Sequence, residues 1–368
     1  MALQGHAIRE AERIYAHARE LCWELGEGHE LPSVLRGLQR VRLVRGELEE
    51  ARMLGEGYLA VARRQGNQAA LPDAHLAVGE TLVFGGSLVD ASEHLRQGID
   101  LHTPRPSPSS DVMVLQDPGI GCRFYAALVQ WLTGNMDQAL GYAEEMCRAA
   151  DALGHPYTRA YAAGRSAMIH HVRRDVTATR AAAEAALDLG TAHGFELVRA
   201  QAFLLRGWAL AMQGETGEGL ALMTEGQAAW GKTGALLLRP FHLAVLSEGL
   251  AHANRVEDAL LLLADARAAA ERTRERWWEA ELYRLTGELS LRGGRQPSVA
   301  ARWFQGAVEV ARCQGARSLE LRTSVSLCRL SPSPESSRWT EALAATYEQF
   351  TEGFASADLR QARAQLGR

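Results

Sequence analysis

The stretch that decides the fold is LLRGWALAMQGETGEGL, Leu204–Leu220. It holds a small residue, Gly207, then a turn glycine, Gly214, then a second small residue, Gly219. Glycine at the middle position supplies the left-handed backbone that ends a helix. The small residues on either side let two consecutive helices approach closely. The segment therefore reads as a helical hairpin: helix, tight turn, helix.

Working outward, the same signature recurs. Turn positions fall at 46, 86, 134, 174, 214, 254 and 294, spaced by 40 residues except for one interval of 48. They are occupied by Gly46, Gly86, Gly134, Arg174, Gly214, Asn254 and Gly294. Five residues later stand Ala51, Ala91, Ala139, Thr179, Gly219 and Ala259, with a one-residue slip to Ala300. Seven residues before the turns stand Gly79, Ala127, Ala167, Gly207, Ser247 and Gly287, while Gln39 breaks the pattern in the first unit. A third series, Gly26, Gly66, Gly154, Gly194, Gly234 and Gly315, punctuates the other end of the hairpins. Between stops lie segments of helical length, and period-two strand patterns are nearly absent.

A repeat of this period predicts an all-α solenoid of about seven to eight hairpins, because one hairpin cannot bury its apolar face alone. The expected division is an array over 1–330 and C-terminal capping helices over 331–368. The 48-residue interval is an insertion in the Pro/Ser-rich loop 103–119, TPRPSPSSDVMVLQDPG. Asp117 at its end is expected to cap the next helix, with Pro118 in the first turn.

The pattern of small residue, turn glycine and alanine resembles the tetratricopeptide motif, at a period longer than that family's, and so implies a right-handed superhelix. The resemblance extends further. ERWWEAELYRLTGELSL (275–291), the opening segment 204–220 and QDPGIGCRFYAALVQWLTGNMDQAL (116–140) resemble the C-terminal repeat region of large bacterial signalling proteins. In those proteins a class III adenylate/guanylate cyclase or related domain precedes an ATPase domain and then such repeats. ARCQGARSLELRTSVSLCRL (311–330) and EGFASADLRQARAQL (352–366) resemble the end of that region. The resemblance runs from about Ala11 to Leu366. It implies a regulatory or partner-binding module without cyclase activity, since the catalytic domains have no counterpart here.

Composition narrows the function. With 40 Lys and Arg against 44 Asp and Glu, the net charge of −4 gives no drive towards nucleic acid or anionic lipid. Five scattered cysteines without CxxC spacing argue against a disulfide framework or zinc site and favour a reducing cytoplasm. No apolar run approaches the ~20 residues a membrane-spanning helix needs. No GxSxG or HExxH motif is present, and His170 and His171, being adjacent, do not share a helix face. GQAAWGKT (226–233) satisfies the phosphate-loop pattern and holds the only lysine, Lys232. It falls on the second helix of a hairpin rather than after a strand, so no nucleotide site is expected.

What remains is the concave wall formed by the first helix of each hairpin. Taking the small residue as a frame, the wall should carry Glu80, Phe124, Trp131, Tyr161, Met168, His171, Trp208, Phe241, Glu248, His252, Glu281, Arg284 and Glu288. Aromatic, Met and Arg side chains together typify recognition surfaces. The acidic members favour a basic peptide or an amine. The expected role is non-enzymatic: a scaffold or sensor holding a protein or peptide in the groove, with neither metal nor cofactor. The alternative is a small-molecule binder, or an unusual enzyme, with a pocket enclosed by the superhelix; self-association is a third possibility. Under the groove reading, Trp208 and Glu248 can be replaced together without unfolding the chain.

Overall fold

The computed structural model describes Ile14, Tyr15, His17 and residues 30–103, 117–330 and 336–368. Ahead of Gly26 only Ile14, Tyr15 and His17 are described, all three helical; the rest of that segment and most of the inserted loop lie outside the described residues. Among the described residues the chain forms seventeen helices and no strand.

The inner helices are α1 (Leu31–Val44), α3 (Leu71–Gly85), α5 (Pro118–Thr133), α7 (Pro156–Val172), α9 (Glu196–Met212), α11 (Arg239–His252), α13 (Glu279–Arg292) and α15 (Arg317–Cys328). Each is followed by an outer helix: α2 (Leu48–Arg64), α4 (Leu88–Leu101), α6 (Met136–Leu153), α8 (Val176–His193), α10 (Thr216–Lys232), α12 (Val256–Thr273), α14 (Pro297–Gln314) and α16 (Ser336–Tyr347). A last short helix, α17 (Ala357–Gln365), ends the chain. The architecture is a tetratricopeptide-like α-solenoid.

All seven turn positions adopt the left-handed conformation, including Arg174 (φ 59°) and Asn254 (φ 61°), which lack glycine's freedom. The second series does the same at Gly66, Gly154, Gly194, Gly234 and Gly315, and Arg274 (φ 57°) fills the gap in that series. The small residues are where helices touch. A Cβ on Gly207 would lie 2.5 Å from the carbonyl oxygen of Gly219, so α9 and α10 meet backbone to backbone. Gly226 sits mid-helix in α10 against the Ala200 carbonyl, which removes the phosphate-loop geometry from GQAAWGKT. Asp117 caps α5 by accepting from the Ile120 amide at 3.0 Å.

The coil is tight enough to close on itself. The amides of Leu236 and Leu237 donate to the Val44 carbonyl at 2.9 and 3.1 Å. One hairpin later, the amides of Arg276 and Trp277 donate to the Phe84 carbonyl at 2.7 and 3.3 Å. The Ser318 hydroxyl reaches the Trp131 carbonyl, 187 residues away in sequence. Nearly five hairpins thus complete one superhelical turn, and each later loop docks on the turn of an earlier hairpin. The space along the axis is filled by Phe84, Phe124, Trp131, Phe241, Trp277 and Trp278, all among the largest fully buried side chains. Apart from Phe124, their rings meet tilted or edge-on at centroid distances of 4.9 Å (Trp277–Trp278) to 6.3 Å (Phe84–Trp277).

The C-terminal piece packs on the coil rather than projecting from it. Glu352 caps α6 by accepting from the amides of Asp137 and Gln138 at 3.0 and 3.1 Å, and Asp137 accepts from the Gly353 amide at 3.0 Å.

Candidate functional site

The frame placed thirteen residues on an open wall, and the structure places ten of them in the interior. Glu80, Phe124, Trp131, Tyr161, Met168, His171, Trp208, Phe241, Glu281 and Arg284 are all buried. Glu248 and Glu288 are partly buried, and His252 is exposed. The open wall is corrected to a closed one. The physical reason is the tightness of the superhelix: with nearly five hairpins per turn, facing inner helices come into contact.

These residues gather in three groups. Trp208, His171 and Phe241 form an aromatic cluster, with His171 4.5 Å from Trp208 and 5.3 Å from Phe241, centroid to centroid. Trp208 donates its Nε1–H to Glu248 Oε2 at 3.2 Å. Trp208 and Glu248 therefore support each other within the fold, and replacing both disturbs packing as well as any wall.

The second group is ionic. Glu281 accepts two bonds from Arg284 at 2.8 and 2.9 Å and lies 3.5 Å from Arg322. Arg322 grips Asp358 of α17 at 2.8–2.9 Å and donates to the Val172 carbonyl. Arg284 also reaches Glu288 at 3.5 Å, and Ser326 donates to Glu288 at 2.6 Å. Burial alone would raise the Glu281 pKa, but Arg284, Arg322 and Arg174 outweigh it and hold the carboxyl well below the usual range. Here every charge has a counter-charge.

Glu80 stands apart. It is clamped by Arg36 at 2.8 Å and Arg40 at 2.9 Å, with Gln39 donating at 3.3 Å. Met168 meets Gln201, whose amide nitrogen lies 3.6 Å from its sulfur.

The third group was only half visible in the sequence. Phe124 and Tyr161, set edge to face with centroids 6.4 Å apart, form a corner against which the Arg165 guanidinium packs at 5.0 and 4.9 Å. Arg165 donates to Gln201 Oε1 at 3.2 Å, yet it pairs with no carboxylate among the described residues. It borders a cavity of about 60 Å³. The floor is Leu43, Val44, Tyr125, Tyr161, Val198, Trp230, Leu237 and Leu238, all buried; the rim is Arg40, Tyr157, Arg165 and Leu197, partly exposed. Gly164 lines the wall, and a Cβ there would find nothing closer than 3.8 Å. Two buried polar atoms on the lining, Tyr161 Oη and Trp230 Nε1, have no hydrogen-bond partner among the described residues. Trp131, Trp278, His171 and His242 also carry unpartnered buried nitrogens, but only Tyr161 Oη and Trp230 Nε1 stand on this cavity's lining.

Of this lining the frame named only Tyr161. Arg165 is four residues on from Tyr161, hence on the same helix face, which is the signal that could have found it. Trp230 was hidden inside the false phosphate-loop match. Arg40, Leu237 and Leu238 meet the others only because the coil closes, and no local spacing encodes that.

Among the described residues no group of His, Cys, Asp and Glu could hold a metal ion, and no helix is long and apolar enough to cross a membrane.

No family model matches the chain. An uncharacterized protein of Rhizobium meliloti (strain 1021) is 27% identical over 204 residues, which is 55% of this chain and 20% of that protein. The match thus spans about a fifth of the relative's length. Among solved structures, a Rap protein complexed with Competence and Sporulation Factor is similar over 92% of this chain and 97% of that one, with TM-score 0.61 at 10% identity. That likeness shows the fold: the chain is built as the Rap helical-repeat superhelix is built.

Proposed function

We propose that this chain is a cytoplasmic, non-enzymatic regulatory module that takes a peptide or protein segment inside its superhelix, at the mouth formed by α1, α7 and α9. The observation that carries the reading is the convergence at one cavity. Around Arg165 a cation without a carboxylate partner among the described residues, a hydroxyl and an indole N–H without hydrogen-bond partners line the same space. A guest there would touch α1 on one side of the closure and the 235–238 loop on the other. Occupancy would therefore favour the closed coil, which is how binding becomes a signal. A Rap protein of similar fold forms a complex with Competence and Sporulation Factor, which supports the reading. We further propose, from the resemblance of 116–140, 204–220, 275–291, 311–330 and 352–366, that the module works beside cyclase and ATPase domains of larger signalling proteins. The partial match to a much longer relative fits that setting.

The test is a peptide-display selection on the full chain, followed by photo-crosslinking of the selected peptides. The expected crosslinks fall on the rim, at Arg40, Tyr157 and Leu197. Crosslinks confined to outer-helix positions such as Val89 or Leu261, or failure to select any peptide, would overturn the proposal.

A further inference from the structure

We infer that the Arg165 pocket is specific for a monocarboxylate joined to a short apolar group; this deepens the reading above and rests on it for the peptide as the source. The charge balance fixes the anion. Arg40 lies on the rim, but its guanidinium is already held by Glu80 at 2.9 Å, and Arg36 is shared between Glu80 and Asp73. That leaves Arg165 as the cation on the lining without a carboxylate partner among the described residues. One uncompensated positive charge, beside an Arg40 whose charge Glu80 already balances, suits a single negative charge and disfavours a dianion.

Geometry fixes the group. The guanidinium packs into the corner of the perpendicular Phe124 and Tyr161 rings and is tied to Gln201, so it is pre-oriented, and a planar fork matches the two oxygens of a carboxylate. Tyr161 Oη and Trp230 Nε1 supply two further donors, buried and unused. A space of about 60 Å³ is several times the ~15 Å³ that one water needs by the same measure, enough for a carboxylate and the first carbons attached to it. Leu43, Val44, Leu197, Val198, Ala235, Leu237 and Leu238 make most of the remaining lining apolar, with Gln201, Tyr125 and Tyr157 adding polar groups. The guest's end is thus an acid set on a hydrocarbon body, whose remainder leaves past Tyr157 and Leu197. Two sources carry that chemistry: the free C-terminus of a peptide ending in an apolar residue, or a small free acid.

Tryptophan fluorescence and calorimetry on the full chain separate them. The probes are 3-phenylpropionate and its amide, and a tetrapeptide of three alanines and a terminal leucine, as free acid and as amide. Both free acids are expected to bind saturably, and their amides about tenfold or more weakly, the loss expected of a charge-assisted hydrogen bond. Arg165→Gln should remove the preference for acid over amide. Tyr161→Phe removes a hydroxyl that has no partner in the fold, so it should leave thermal stability unchanged or raised while weakening the acids several-fold. A merely structural tyrosine would not show that split. Equal binding of acid and amide, no saturable response up to millimolar concentration, or unaltered preference in Arg165→Gln would each overturn the inference. If the small acid alone binds, the pocket stands and the peptide reading falls. If selected peptides crosslink to the rim with no need of a free carboxylate, the peptide reading stands and this inference falls.

Discussion

Two arginines in the same ring of inner helices live in opposite circumstances. Arg322 on α15 is buried and makes bonds to Asp358, Glu281 and the Val172 carbonyl. Arg165 on α7 packs against two rings, bonds one amide oxygen and lines a cavity. The first ties the fold together; the second has donor capacity to spare. A buried cation with a full set of partners is structural by default, because removing it strands its partners. A cation whose electrostatic needs the fold does not meet is where a ligand can bind strongly.

The largest expected effect breaks that comparison directly. Arg322→Ala leaves Asp358 and Glu281 short of a buried counter-charge and should cost about 3–5 kcal/mol, read by urea unfolding. It should also loosen α17. Arg165→Ala should cost under about 1 kcal/mol, since one neutral hydrogen bond and ring contacts are lost. Equal losses from the two substitutions would mean that Arg165 is structural and the pocket a packing defect.

The glycines sharpen the same contrast at backbone level. Gly207→Ala forces a Cβ to 2.5 Å from the Gly219 carbonyl and 2.9 Å from the Met223 amide. It should destabilise by about 1–3 kcal/mol, as overpacking does. Gly164→Ala places its Cβ beside the cavity, with 3.8 Å to Ala186, and should be neutral or stabilising by up to about 1 kcal/mol, because alanine suits a helix better. Thermal unfolding of the two variants separates them, and a large loss at Gly164 would mean that the cavity is smaller than described.

These cases show how far the sequence carries. Turn glycines at fixed spacing imposed the left-handed ends, and small residues at fixed offsets imposed the hairpin contacts, so the solenoid was legible from period alone. Arg174 and Arg274 take the same conformation without glycine, yet only the position of Arg174 was recoverable, from the register. The candidate site was legible in part. The frame found the inner helices correctly, but a frame carries no radius of curvature, so it could not tell an open wall from a closed one. Trp131 and Phe241 are inward-facing as expected and are consumed by packing. Arg40 and Trp230 meet across the closure of the coil, nearly two hundred residues apart, and no motif joins them.

Two carboxylates six positions apart extend the comparison to pH. Glu281, among arginines, stays ionised far into acid. Glu275 is buried without a cation, and burial pushes its carboxyl up to about 7 despite bonds from Trp277 Nε1–H and the Leu238 amide. A carboxyl raised in the folded state gives stability that is full below its unfolded value, near 4.5, and is lost as pH rises through about 7. Glu275→Gln should therefore lose less stability than the wild type between pH 5 and pH 8, measured as Tm at each pH. An unchanged slope would show Glu275 to be solvated. The effect matters because Glu275 joins the 235–238 loop to the 274–278 loop, the two segments that close the coil.

The smallest effect probes the pocket from behind. His242 is buried against Trp230 at 4.5 Å, has no hydrogen-bond partner among the described residues, and is lowered to about 3 by burial and then by the Arg165 charge. A neutral buried imidazole gives stability that is present above its unfolded value near 6.5 and lost as pH falls towards 3. Removing the nearby positive charge must relieve part of that depression. In Arg165→Gln the His242 ring signals, followed by NMR across the acid range, should titrate at higher pH than in the wild type. A saturating carboxylate guest should shift them the same way, because it neutralises the same charge. If the variant shifts His242 and the guest does not, the guest binds elsewhere. If neither shifts it, the field of Arg165 is screened by water, and the electropositive pocket does not exist.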